Sequence, residues 1–89
     1  MPLKVYLHPK ADDFLNSVDS TIRERIKNRL HGLIEEPNKK EKPYIPPFRI
    51  IRIGVYRAIY EIVFNESKVN VLYIEHRDKV YEDFKRIFL

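Results

Sequence analysis

The period with which apolar positions recur changes along the chain, and each change marks the border of an element. Leu3, Val5 and Leu7 alternate with Lys4, Tyr6 and His8, the two-residue repeat of a short half-buried strand. Pro9 stops that strand and suits the first turn of a helix, where its missing N–H has no intrahelical partner to lose. Ala11, Phe14, Leu15 and Val18 follow at helical spacing. Asp19, Ser20 and Thr21 offer capping side chains, and Thr21 with Glu24 fits a capping box. Ile22, Ile26, Leu30, Leu33 and Ile34 then form the apolar stripe of a second helix, until Pro37 ends it. Its other faces carry Arg23, Arg25, Lys27, Arg29 and His31.

Residues 37–47 hold Pro37, Pro43, Pro46, Pro47 and the charge run Lys39–Lys40–Glu41–Lys42, which reads as a surface connector. Phe48 to Ile62 reads as two strands joined by a tight turn at Gly54, because β-branched and aromatic residues dominate both arms. Along the second arm Tyr56, Ala58, Tyr60, Ile62 and Phe64 share the face expected to meet the core. Arg57 and Glu61 share the other, so replacing Arg57 is expected to cost little stability. A polar turn at Asn65–Glu66–Ser67–Lys68 leads to a strand from Val69 to Glu75. Asp78 is placed to cap a last helix whose Val80, Tyr81, Phe84, Ile87 and Phe88 are spaced to dock on the sheet. The order β-α-α-β-β-β-α predicts an α+β fold: a mainly antiparallel four-stranded sheet, two N-terminal helices packed on one face, and a short C-terminal helix.

Composition narrows the class. At 89 residues, 44% hydrophobic, the chain makes one globular domain spanning 1–89. It has no cysteine, which excludes a disulfide framework or a thiolate metal site and suits a reducing compartment. No apolar run approaches the ~20 residues of a membrane span, and Met1–Pro2–Leu3–Lys4 leads straight into a strand without a signal-peptide core. A cytoplasmic protein with no membrane partner is expected. The net charge of +4 biases it toward anionic partners.

Arg52, Arg57 and Arg77 are the first chemical candidates. Arg52 and Arg57 flank the turn on paired strands, and a cluster of guanidinium groups on a rigid sheet makes a phosphate site. Surface ion pairs with Glu61, Glu75 and Asp78 are the alternative use for them. His76 is a candidate acid or base, or a residue that simply ends a strand. Tyr81 is a proton donor, a stacking surface or a core tyrosine. The carboxylates lack the spacing of a metal site, and with only Gly32 and Gly54 there is no glycine-rich nucleotide loop. From the residues alone the chain is a basic sheet-plus-helix module with a candidate anion site, and no more.

The run Arg52–Ile53–Gly54–Val55–Tyr56–Arg57–Ala58–Ile59–Tyr60–Glu61–Ile62, followed by Glu75–His76–Arg77–Asp78–Lys79–Val80–Tyr81, resembles the RelE/ParE superfamily of toxin–antitoxin toxins, in element order and length as well. The resemblance implies the toxin of a type II toxin–antitoxin system, bound by a RelB-like antitoxin. In its RelE branch it implies an endoribonuclease (an mRNA interferase, a hydrolase-type enzyme) that cuts mRNA on the ribosome with no metal or small-molecule cofactor. Carried over by motif, Arg57, Arg77, Tyr81 and His76 form the catalytic set, with Arg49, Arg52 and Lys79 as RNA-binding residues. Many members carry a second basic residue two positions before Arg52; here that position is Ile50, and Arg49 is one step off register. The alternatives are a ParE-like toxin that inhibits DNA gyrase by protein contact, and a weak homologue that only binds its antitoxin.

Overall fold

The computed structural model describes residues 3–35 and 41–89, with side chains except at 34, 35 and 41–43. Strands β1 (Lys4–Leu7), β2 (Glu41–Pro43), β3 (Arg49–Ile53), β4 (Tyr56–Val63) and β5 (Lys68–His76) form one sheet in the order β1-β5-β4-β3-β2. Three neighbouring pairs are antiparallel, and β1 runs parallel to β5. Helices α1 (Pro9–Ser17), α2 (Ser20–Glu35) and α3 (Val80–Phe88) complete the chain. The four expected strands are β1, β3, β4 and β5. Part of the expected connector, Glu41–Pro43, adds a short edge strand, a place where a proline is tolerated. The Pro37 stop and Lys39–Lys40 lie outside the described residues.

The two N-terminal helices pack on one face, as expected. Ala11, Leu15, Ile26, Leu30 and Leu33 meet Ile51, Ile53, Ala58, Tyr60, Val69, Val71 and Ile74 there. Helix α3 covers the opposite face, where Val80 and Phe84 bury Ile50 and Ile59 under a rim of Tyr44, Phe48, Leu72, Tyr73 and Phe88. Phe84 lies edge-on to Phe48 at 5.1 Å and stacks on Phe88 at 4.9 Å. The unbroken Ile50–Ile51 pair in β3 is the sequence mark of this two-sided burial. Between β4 and β5 the register steps from Ile59↔Tyr73 to Tyr60↔Val71, leaving Leu72 as the extra residue of a bulge. Leu72 and Tyr73 both join the α3 side, while Val71 and Ile74 stay on the other.

Three local expectations are corrected. Asp19, not Thr21, caps α2: its carboxylate accepts from the Ile22 amide at 3.0 Å and its carbonyl from the Arg23 amide. Lys79, not Asp78, is the N-cap of α3, with no side-chain capping bond, and Asp78 lies one residue earlier with its amide donating to His76 Nδ1 at 3.1 Å. Phe64 leaves the strand for a 3₁₀ turn and is 64% exposed rather than on the core face. His8 caps α1 by accepting from the Lys10 amide, which gives that histidine a structural task. At the other end of α1, the Arg23 guanidinium donates to the carbonyls of Leu15 and Val18 at 2.8 and 2.9 Å. These are helix-end acceptors that α1, with no basic residue in its last turn, leaves unpaired.

Candidate functional site

The β3–β4 turn is where basic groups from separate elements meet. Gly54 takes φ +60°, a left-handed conformation that costs an L-residue roughly 1–2 kcal/mol, so a glycine belongs there. The register sets Arg52 opposite Arg57, and Arg57 opposite Glu75. Alternation from Ile50 and Ile59 puts all three on the α3 side of the sheet, in one row across three strands. The Arg57 side chain is not a free surface cation. It is 8% exposed, and its Nη1 donates at 2.8 Å to both the Gly54 and the Tyr56 carbonyl oxygens. The expectation that it could be removed at little cost is therefore overturned. The three hydrogens on Nε and Nη2 are not used by those bonds.

Arg77 reaches the same turn through its backbone, its amide donating to the Val55 carbonyl at 2.8 Å. Its side chain is 56% exposed and meets only the rim of the Asp78 carboxylate, at 3.9 Å. Carbonyls 54, 55 and 56 are thus all taken by Arg57 or Arg77. Helix α2 contributes as well. Arg29 Nη2 donates to the Arg52 carbonyl at 2.8 Å, and a Cβ built on Gly54 would stand 2.8 Å from Arg25 Nη1. These α2 arginines, four residues apart, were not singled out from the sequence. Their spacing on one helix face was the available signal, but which strand that face would meet was not.

Tyr81 is brought to the α3 side by the docking of Val80 and Phe84, stays 37% exposed, and tilts against the Tyr44 ring at 5.6 Å. The Tyr44 hydroxyl is buried with no hydrogen-bond partner among the described residues. Burial, and then the neighbouring Tyr81, raise its pKa. Tyr44 sits in the expected connector, and nothing in the sequence singled it out. His76 faces the other way. It pairs with Tyr56, on the α1/α2 side, and the two rings meet edge-on at 6.1 Å. Its Nδ1 accepts from the Asp78 amide, which needs a lone pair there and so places the proton of a neutral ring on Nε2; the Asp78 carboxylate, at 3.5 Å, would take over that nitrogen only if it were protonated. Lys79 is exposed at the start of α3.

Arg49 does not join this row. The β3–β4 register is unbroken from Arg49↔Tyr60 to Arg52↔Arg57, so no bulge restores it, and it shares the face of Ile51. The α3-side position is filled by Ile50, 5% exposed in the core. Among the described residues no group of three or more His, Asp or Glu side chains is placed to hold a metal ion, and no helix is long and apolar enough to cross a membrane.

This architecture and sequence define a known class. The sequence profile of the ParE toxin of the type II toxin–antitoxin system parDE matches residues 5–81. The chain belongs to that family, within the RelE/ParE superfamily, and is the toxin of a type II toxin–antitoxin system. Among solved structures it is similar to the toxin–antitoxin complex RelBE2 of Mycobacterium tuberculosis (TM-score 0.77, 25% identity, covering 86% of this chain and 100% of that one). A mutant of the E. coli toxin RelE in the free state shares the fold (TM-score 0.78, 23% identity, 99% of this chain and 100% of that one). So does the YoeB/ParE toxin of Agrobacterium tumefaciens (TM-score 0.71, 17% identity, 83% and 98%). No protein with a curated description matches the sequence significantly.

Proposed function

We propose that this toxin is an endoribonuclease that cuts mRNA on the ribosome in the cytoplasm, held silent by a RelB-like antitoxin. The observation that carries the reading is the row of Arg52 and Arg57 with Arg77 at its end, built on one turn. A ribose 2′-oxygen attacks the adjacent phosphorus while its proton leaves, the bond from phosphorus to the 5′-oxygen breaks, and that oxygen takes a proton. The products are a 2′,3′-cyclic phosphate and a 5′-hydroxyl. Charge builds on the non-bridging oxygens, where a well-placed fixed donor contributes about 2.7–4 kcal/mol. Arg57, held by its Nη1, offers such a fixed donor; Arg77 and Arg52 bring exposed charge to the same phosphate. Tyr81, on that side of the sheet, is the better placed group for stacking or proton transfer. His76, facing away, supports the site by holding the 76–79 turn, where its carbonyl also accepts from the Lys79 amide at 2.9 Å. Lys79 lends charge at the rim. Arg49, on the far face, is left with no phosphate contact in this arrangement.

The RelBE2 complex, and the family description itself, support an antitoxin as partner. A gyrase-directed, ParE-like activity is the second reading. It is favoured by the name of the matching family and by Ile50, which sits in the core where many relatives carry a cation. Purified toxin added to a reconstituted translation reaction and, separately, to a gyrase supercoiling reaction tests the choice. Cut mRNA with normal supercoiling supports the nuclease; intact mRNA with blocked supercoiling supports the alternative.

A further inference from the structure

Helix α2 carries Arg23, Arg25, Lys27 and Arg29, and the fold gives them different work. Arg23 closes the end of α1. Lys27 lines a groove with Val5, Leu7, Leu30 and His31, beside β1. Arg25 and Arg29 reach the β3–β4 turn, the first against Gly54 and the second onto the Arg52 carbonyl. Arg29 uses one guanidinium nitrogen there, and a guanidinium carries five N–H donors. Among the described residues no carboxylate forms an ion pair with Arg25, Arg29, Arg52 or Arg57, and Glu75, opposite Arg57, is the one acidic residue in their row, so positive charge is in excess at this end of the sheet. Like charges held together without counter-charge repel, and an anion relieves that repulsion.

We propose that Arg25 and Arg29 form a second phosphate-binding subsite, which takes the backbone of the same RNA strand at a phosphate flanking the one that is cut. The subsite rests on the nuclease reading above and extends it. Arg52 is its hinge: its side chain belongs to the row facing α3, while its carbonyl holds Arg29. A strand crossing the turn passes from Arg77 and Arg52 to Arg29 and Arg25. The contacts are to phosphate, so they position the RNA and carry no base preference. Grip by α2 is thereby separated from chemistry at Arg57.

Binding of an uncleavable 2′-O-methyl oligonucleotide about a dozen nucleotides long, and of a trinucleotide of the same chemistry, measured against salt concentration, tests this. Each phosphate contact on a single strand contributes about 0.7 to the slope of log affinity against log salt. Arg25→Gln is expected to lower that slope by about 0.7 for the long oligonucleotide and weaken its binding about tenfold at low salt, with the trinucleotide unaffected. Arg25→Lys retains the slope. Lys27→Gln makes the same charge change on the same helix away from the turn and leaves the slope unchanged. A matching loss for Arg25→Gln and Lys27→Gln would overturn the subsite while sparing the nuclease reading. Equal salt slopes for the long oligonucleotide and the trinucleotide on the wild-type protein would overturn the subsite as well. Thermal melts confirm that each variant is folded.

Discussion

Arg57 Nη1 donates to the Gly54 carbonyl oxygen at 2.8 Å, so the arginine proposed to meet the reacting phosphate also closes the turn that carries it. A second bond of equal length to the Tyr56 carbonyl leaves the guanidinium nearly fixed. The two tasks separate by measurement. Arg57→Ala should lower stability by about 1–3 kcal/mol, because two acceptors lose their donor in a buried place. For a domain of this size, that is a fall in Tm of about 4–8 °C per kcal/mol. Cleavage measured below the lowered Tm should drop roughly 10²–10³-fold. A variant that melts early yet cuts at the wild-type rate would leave Arg57 only its structural task.

Arg77 offers the complementary case. Its amide, which any residue supplies, holds Val55, and its side chain is 56% exposed. Arg77→Ala should therefore leave stability within about 0.5 kcal/mol of wild type while lowering cleavage as Arg57→Ala does. The double variant should lose less than the sum of the two, since both guanidinium groups hold one phosphate. Full additivity would place them on separate groups of the substrate.

Tyr81 and Tyr44 form a pair that one atom tells apart. Tyr81→Phe keeps the ring against Tyr44, so a large loss of cleavage assigns the hydroxyl to proton transfer and a small one assigns the ring to stacking. Tyr44→Phe removes a buried hydroxyl that has no partner among the described residues, and an unpaired buried group costs about 1–3 kcal/mol. Its Tm should rise or hold. A clear fall would mean that the hydroxyl is satisfied in solution.

Much of this was legible before any coordinates. Alternation and helical spacing placed β1, α1, α2, the central hairpin, β5 and α3, because each carries several apolar residues on one face. The motif residues Arg52 and Arg57 were visible because they interrupt apolar strands with charge, and Arg77 because it follows directly on the last strand. What periodicity could not give was which elements meet. The bulge at Leu72 changes which residues face α3, and a strict two-residue alternation does not reveal it. The burial of Arg57 depends on carbonyls turned inward by Gly54, a backbone feature. Periodicity places Arg25 and Arg29 only on the faces of α2 away from its apolar stripe; the packing of α2 is what brings these two of its four cations to the turn.

One pH dependence follows from the α3 side. Burial, followed by the nearby Asp83 carboxylate, which accepts from the Tyr73 hydroxyl at 3.2 Å, pushes the Tyr73 phenol up to about 12 from its usual 10.0. The fold thus favours the protonated form. Its contribution is complete below about pH 10 and is lost as the pH rises through 12. Denaturant melts at pH 9 and above should show wild type losing more stability than Tyr73→Phe. Equal losses would count against the Tyr73–Asp83 contact.

The central claim is that the arginine-bound turn cuts mRNA. Mapping of mRNA 5′ ends in cells shortly after induction of the toxin tests it most directly, with Arg77→Ala as the matched folded control. The account predicts new ends within translated regions, bearing 5′-hydroxyls, strong for wild type and nearly absent for the variant. Growth arrest with intact transcripts for wild type, or equal cutting by Arg77→Ala, would contradict it.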